Sequence, residues 1–473
     1  MIETRRQHGP AGSGSHAKGY EPRQDRRGLW TSLVLVPVVA LWLFTAWISR
    51  DDRLRAILVT HALFALGLLS TYFAAWTVAA IWTRGRRRLV VFRAILTTVV
   101  LLVLLVLIDV PAYLGMIDYG SHWERVTGAW RGPARSFVAD PELGFRRPPN
   151  LRMSGRPRGD IAAAWNIAID ASRDMEFTYN SKGFRSLVEY ESADIVMLGD
   201  SHVEGWYVSD GETVSDRLAE LTGLTVANLG QVGYGPGQEL RLLELQGLDL
   251  SPETVVWFFY EGNDLYDDLN YASTVEFYRG GGDAGLRRGR GLPFRKTSFT
   301  VNAVTSLRRL LHPLIPNGMP YTGWFRDASG RRHRVYFHGE CMYGIGKYEE
   351  GLFERNKAAL RAGLSLAERD GFDLLVAYIP TKFRVYVDHC EFDEESPCRM
   401  WTPWDLPARF AAFCDEEGLA CLDLTPAMRA AAGEGRLLHD PGESHWNKDA
   451  HGLVARIVAE RLRGGERESE RAN

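Results

Sequence analysis

Apolar positions divide this chain into two parts. Between residues 29 and 116 they come in long, nearly uninterrupted runs. Residues 29–48 and 56–82 contain no Asp, Glu, Lys or Arg, and residues 89–108 contain only Arg93. A helix that crosses the hydrocarbon core of a bilayer needs about 20 such residues, so three transmembrane helices are expected. Trp30, Trp47, Trp76 and Trp82 stand at or near the ends of runs, where indole rings favour the membrane interface. Arg93 can reach the headgroups along its own aliphatic stem. Three runs in succession argue against a cleaved signal peptide.

After residue 190 the pattern changes to short apolar runs alternating with amphipathic stretches. Residues 195–198, 225–229, 255–260, 374–379 and 420–424 predict buried strands. Residues 214–221, 238–246, 352–369, 407–417 and 449–462 predict helices. Strand and helix in alternation predict a parallel sheet covered by helices. This gives an α/β domain over residues 191–465, with its site at the carboxyl ends of the strands. Residues 270–347 interrupt the alternation with Gly280-Gly281-Gly282, several arginines and scattered aromatics. A stretch of that length is expected to be an insertion, placed beside the active site. Residues 117–190 form a connector with two extended pieces, Asp140-Pro141-Glu142-Leu143-Gly144-Phe145 and Tyr179-Asn180-Ser181-Lys182-Gly183-Phe184-Arg185. Residues 1–28 are a basic leader whose Gly, Ser, Arg and His content predicts disorder, and residues 466–473 form a tail.

Charge adds an orientation. The formal net charge is −3, which points away from nucleic acid as a partner. The leader carries Arg5, Arg6, Lys18, Arg23, Arg26 and Arg27, and the loop between the second and third runs carries Arg84, Arg86, Arg87 and Arg88. The positive-inside rule puts both in the cytoplasm, and three crossings leave everything after about residue 116 outside. All five cysteines fall between Cys341 and Cys421, on that outer side. Cys390 and Cys398 bracket a short acidic loop; a disulfide between them and a pair of free thiols are both open.

Four pieces carry candidate chemistry. The first strand runs into Gly199-Asp200-Ser201-His202, placing a serine hydroxyl at a strand tip. A serine is a weak nucleophile without a base within hydrogen-bond reach. The second strand ends in Asn228-Leu229-Gly230-Gln231-Val232-Gly233-Tyr234-Gly235, where glycines let backbone N–H groups approach a substrate. The third ends in Glu261-Gly262-Asn263-Asp264, and a carboxamide there can donate to a developing oxyanion. Gly442-Glu443-Ser444-His445-Trp446-Asn447 precedes the last helix, and His445 supplies the missing base. Val203 stands where a nucleophile elbow would carry glycine, which excludes the Gly-x-Ser-x-Gly arrangement. His333 and His338 near Cys341 match no zinc spacing, so neither metal nor cofactor is expected.

In this order and spacing the four pieces resemble the blocks of the SGNH/GDSL hydrolases, over roughly residues 140–465. The lead-in, together with Tyr260-Glu261-Gly262-Asn263-Asp264 and His445-Trp446-Asn447, is similar to extracytoplasmic, membrane-anchored members found with bacterial surface polysaccharides. The resemblance implies a flavodoxin-like SGNH domain behind the three membrane helices. It implies Ser201 as nucleophile and His445 as general base. It also implies an oxyanion hole made by the Ser201 N–H, the Gly233 N–H and the Asn263 amide. The family usually places Asp three residues before the histidine, where this chain has Gly442. Glu443, two before, is expected to be the acid, with Asp440 as the second candidate and Asp200 shaping the turn. The expected activity is a serine esterase acting on acyl, most simply O-acetyl, esters of an extracytoplasmic glycan. An O-acetyltransferase using the same acyl-serine is the first alternative, and a non-catalytic glycan-binding or assembly protein the second. Expected partners are an acylated carbohydrate and the lipid bilayer, with room for other membrane proteins of a polysaccharide pathway. Arg287, Arg288, Arg290 and Arg295 of the insertion are candidates to hold an anionic glycan.

Overall fold

A computed structural model describes residues 27–48, 57–83, 85–113, 117, 119, 137–157, 159–165, 173–279, 298–310, 321–338 and 347–472. Residues 1–26 of the leader, the arginines at 287–295, and Cys341 lie outside these residues. The chain divides into two compact units: Met1–Trp47 with Ile57–Leu102 form one, and Ile48–Ala56 with Val103–Asn473 the other.

The first unit holds three apolar helices, α1 (Arg27–Ile48), α2 (Ile57–Trp82) and the first part of α3 (Arg87–Tyr113). Leu, Val, Ile, Ala and Phe dominate all three. Among the described residues, α3 is the one helix long and apolar enough to cross a membrane, with shorter apolar helical stretches at Trp30–Leu41 and Leu66–Trp82. Its 27 residues correspond to roughly 40 Å at 1.5 Å per residue.

The second unit is built on a five-stranded parallel sheet. Its strands are β5 (Ile195–Leu198), β6 (Val226–Asn228), β7 (Thr254–Tyr260), β10 (Asp373–Ile379) and β12 (Ala420–Asp423), in the order β12-β10-β7-β5-β6. The central strands read as continuous apolar runs because both faces are covered. Alternate residues go to opposite faces. Met197, Val256, Phe258, Leu375 and Ala377 meet the helix Lys448–Ala472 through Val454, Ala455 and Val458. Val196, Leu198, Val255, Trp257, Phe259 and Val376 meet the helices Lys347–Asp370 and Leu406–Glu417 through Leu360 and Phe410. The strand order reverses between β6 and β7, on either side of β5, so a crevice opens at the carboxyl end of β5.

The connector is folded onto this domain. It contributes the antiparallel pair β1 (Val138–Asp140) with β2 (Gly144–Arg146) and the pair β3 (Arg152–Gly155) with β4 (Met175–Thr178). Within the interval 270–347 lie the end of a helix, Asp264–Arg279, a helix Phe299–Leu310, and the hairpin β8 (Thr322–Arg326) with β9 (Arg332–Tyr336). The short strand β11 (Cys390–Glu391) completes a three-stranded antiparallel sheet with them.

Three readings change. Among the described residues a disulfide joins Cys414 and Cys421, seven residues apart with Cα atoms at 6.2 Å, and none joins Cys390 to Cys398. The helix that was expected to stop near residue 462 continues to Ala472, through the expected tail. The interval 270–347 carries regular structure where it is described, rather than a continuous break.

Candidate active site

The site forms where three strands end. After β5 the chain turns at Gly199, and Asp200 caps the four-residue helix Ser201–Glu204 by accepting from the His202 N–H at 2.9 Å. This leaves Ser201 at the start of the helix, over the crevice, and gives Asp200 the turn-shaping role expected of it. The loop after β6 runs alongside: the Gln231 N–H donates to the Gly199 carbonyl at 3.0 Å. Gly233 follows at φ +77°, a left-handed conformation that a side chain would strain. After β7, Asn263 begins the turn into the helix Asp264–Arg279, and its amide donates to Asp267. A carboxamide has two N–H bonds, so one remains for another acceptor.

His445 reaches this crevice from a loop 244 residues later. Its Nε2 lies 2.8 Å from Ser201 Oγ, and its Nδ1 lies 2.5 Å from Glu443 Oε1. The three side chains therefore form one hydrogen-bonded chain. Glu443 is fully buried, and its carboxylate also accepts from the N–H groups of Ser444 (3.0 Å), His445 (3.1 Å) and Asp160 (2.9 Å). Asp440 accepts from Lys382 through its carbonyl at 2.8 Å, and its carboxylate is hydrogen-bonded to Asn447.

Two residues that sequence reasoning missed build the loop. Lys382, at the carboxyl end of β10, is buried and donates to the carbonyls of Asp440, Pro441 and Glu443 at 2.8, 2.9 and 2.8 Å. Burial brings its pKa down to about 8. Asp160, from the connector, accepts from the Ser444 N–H at 2.8 Å and the Ser444 hydroxyl at 2.5 Å. Its second oxygen also lies 3.2 Å from His338 Nε2, and with the Tyr336 N–H bonded to the Pro441 carbonyl at 3.0 Å this sets the hairpin β8–β9 against the loop. Gly159 sits so close that a Cβ there would lie 2.1 Å from the Gly442 carbonyl. The Gly159-Asp160 dipeptide was the only signal, and 283 residues separate it from Glu443.

The electrostatics follow from burial and crowding. Burial, together with the charge of Asp160, pushes Glu443 up to about 7, against the pull of His445. Burial lowers His445, but the charge and hydrogen bond of Glu443 outweigh it and carry the imidazole up to about 9. Burial also opposes ionisation of Asp160, yet His338 holds it well below the usual carboxylate range. Asp160, Glu443 and His445 present ligand-type atoms within 4.8 Å of one another. Each already takes part in the hydrogen bonds above.

Ser201, His445 and Glu443 lie in one hydrogen-bonded line at the crevice of a parallel sheet. The fold is α/β, a five-stranded parallel sheet covered by helices. A family model described as SGNH hydrolase-like domain, acetyltransferase AlgX, matches residues 344–472, a span that contains Glu443 and His445 but not Ser201. No curated protein matches the chain. Among solved structures, a GDSL-like lipase from Bacteroides thetaiotaomicron is 10% identical with a TM-score of 0.29, covering 57% of this chain and 88% of its own. A lipase/acylhydrolase from Enterococcus faecalis is 13% identical with a TM-score of 0.29, covering 57% and 95%. A catalytic mutant of an acetylxylan esterase from Geobacillus stearothermophilus is 12% identical with a TM-score of 0.30, covering 57% and 94%. These likenesses are too distant to bear on the chemistry.

Proposed function

We propose that this chain carries an acyl group, most simply acetyl, on Ser201 and transfers it to a hydroxyl of an extracytoplasmic glycan. The observation that supports acyl-serine chemistry is the unbroken line Ser201–His445–Glu443, with contacts of 2.8 and 2.5 Å. In the forward half-reaction Ser201 Oγ attacks the donor ester as its proton passes to His445 Nε2. The Ser201 N–H, the Gly233 N–H and the free N–H of the Asn263 amide receive the developing oxyanion, an arrangement worth about 10²–10³ in rate per donor. His445 then protonates the leaving alcohol, and in the second half-reaction deprotonates the acceptor. Glu443 keeps the imidazole in the tautomer that presents Nε2 to the serine.

Transfer and hydrolysis share this intermediate and differ in whether a sugar hydroxyl or water attacks it. One finding favours transfer: the family model that matches residues 344–472 is described as an acetyltransferase. The glycan as acceptor rests on the resemblance to surface-polysaccharide proteins. A non-catalytic role fits poorly with an intact, buried relay.

The same reading assigns α1, α2 and α3 as three membrane spans. The leader and the loop of Arg84, Arg86, Arg87 and Arg88 lie in the cytoplasm, and the domain after about residue 116 lies outside. The Cys414–Cys421 disulfide is in keeping with an oxidising compartment.

The test uses the purified full chain. A fluorophosphonate probe should label Ser201, located by peptide mapping, and Ser201→Ala should lose both labelling and turnover of an activated acetyl ester by on the order of 10⁴-fold or more. Incubation with an acetyl donor and oligosaccharide acceptors then separates the two outcomes. Acetylated sugar supports transfer; free acetate at one rate with and without every acceptor shows an esterase instead. Turnover that survives Ser201→Ala in a folded protein removes the serine from the mechanism.

A further inference from the structure

The two connector motifs are not used by the relay, yet both converge on the loop proposed to supply an oxyanion donor. Glu204 ends the helix that Ser201 begins. Its carboxylate is fully buried and paired with Arg147, equally buried. Arg147 donates to Oε1 through Nε at 3.0 Å and Nη2 at 2.7 Å, and the Tyr179 hydroxyl donates to the same oxygen at 2.5 Å. The other oxygen accepts the Val232 N–H at 2.5 Å. Arg147 directly follows β2 and Tyr179 directly follows β4, so one carboxylate joins both pieces of the connector to the nucleophile helix and to the residue before Gly233.

Further bonds brace the same loop. The Tyr234 hydroxyl donates to the Phe145 carbonyl, the Gln238 amide to the Leu143 carbonyl, and the Gln231 amide to the Gly183 carbonyl at 3.1 Å. The rings of Phe145 and Tyr234 meet edge to face, with centroids 5.3 Å apart. Side chains of the loop and the helix after it are therefore tied to backbone carbonyls of the connector, while the Val232 N–H of the loop is held by Glu204, itself paired with Arg147 of the connector.

A buried ion pair is a poor way to add stability, because desolvation of both charges offsets most of their attraction, and apolar replacements of similar volume often fold as well. What a carboxylate supplies here that an apolar side chain cannot is an acceptor for the Val232 N–H. That bond fixes the Gln231–Val232 peptide, one residue ahead of the peptide whose N–H is the proposed donor, and Gly233 follows at φ +77°. Displacement of a catalytic group by about 1 Å can cost on the order of 10²-fold.

We infer that Arg147 and Glu204 are positioning residues for the oxyanion donor at Gly233, so that the connector is a working part of the active site rather than a stalk. This rests on the acyl-serine reading above. In the probe reaction Ser201 Oγ bonds phosphorus, fluoride leaves, and the hydroxyl proton passes to His445, while the phosphoryl oxygen occupies the oxyanion position. Labelling therefore reports on that position without knowledge of the natural donor.

The experiment measures fluorophosphonate labelling of the full chain in detergent, with the maximal rate kinact and the half-saturating concentration KI obtained separately. Arg147→Met with Glu204→Met removes the pair at similar volume. A folded double variant should lose about 10- to 100-fold in kinact, the range expected for a misplaced donor, with KI unchanged. Arg147→Lys, which keeps the charge, should recover part of the loss. Tyr234→Phe, which deletes one hydroxyl, should lower kinact a few-fold and leave the melting temperature nearly unchanged; it decides the matter if the double variant does not fold. Wild-type kinact in a folded double variant, or in Tyr234→Phe when the double variant is unfolded, overturns the inference. Wild-type chain that is labelled no better than Ser201→Ala overturns the acyl-serine reading itself, and this inference with it.

Discussion

Replacing Glu443 by glutamine removes one negative charge and changes almost nothing else in volume. The carboxylate accepts four hydrogen bonds: from His445 Nδ1, from the N–H groups of Ser444 and His445 through the same oxygen, and from the Asp160 N–H through the other. An amide has one acceptor oxygen, and neither orientation suits all four donors. With the oxygen toward His445, the NH₂ group faces the Asp160 N–H, and a buried donor is left unsatisfied at a cost of about 1–3 kcal/mol. With the NH₂ group toward His445, Nδ1 must accept, the proton moves to Nε2, and the imidazole can no longer take the proton of Ser201. The corresponding acid-to-amide change in a serine triad costs about 10⁴ in kcat. The expected loss here is therefore roughly 10³- to 10⁴-fold at the pH where the wild type is fastest.

The pH profile gives an independent check. His445 accepts a proton only when neutral, and the carboxylate raises its pKa to about 9. The wild-type rate should therefore climb with pH through that value. It should fall more steeply below about pH 7, where Glu443 also takes up a proton. In Glu443→Gln the chief raising influence is gone and burial lowers the imidazole, so the acid limb should move to lower pH. The deficit should consequently narrow as the pH drops. The assay is hydrolysis of an activated acetyl ester between pH 5 and 10 by both proteins, with melting curves to confirm folding. Asp440→Asn is the control and should cost less than tenfold, since the Asp440 carboxylate is hydrogen-bonded to Asn447 whereas Glu443 holds His445 Nδ1. A folded Glu443→Gln with an unshifted acid limb, or an Asp440→Asn variant that is slower than it, would refute the assignment of the acid.

Asp160→Ala should lower kcat by roughly 10- to 100-fold through loss of the bonds that hold Ser444, the scale of a small misplacement of catalytic groups; kinetics equal to wild type would show that Lys382 alone holds the loop. A reporter active only outside the cytoplasm should work when fused after residue 120 and fail near Arg86, by the positive-inside rule; the reverse pattern would place the domain in the cytoplasm and exclude an extracytoplasmic glycan.

The sequence by itself determined the α/β alternation, because strands buried on both faces must be continuous apolar runs and their covering helices must be amphipathic. It also singled out Ser201, Gly233, Asn263 and His445, since chemistry at strand ends needs small, turn-forming residues in short local motifs. The apolar runs before residue 116 were equally legible as helices, of which one among the described residues, Arg87–Tyr113, is long and apolar enough to cross a bilayer. Other features depended on segments that meet only in three dimensions. Glu443 and Asp440 lie in one short loop, and the bond from Glu443 to His445 exists because Lys382 and Asp160, far away in the chain, set that loop's backbone. Cys414 pairs with Cys421 because a helix and the strand after it return the chain to within 6.2 Å, a distance that spacing alone does not reveal. The Glu204–Arg147 pair joins residues 57 positions apart, and nothing local marks either as a partner. Local periodicity reports which face of an element is buried, whereas the choice among polar partners is made by the packing of elements, and that information resides in no single stretch of sequence.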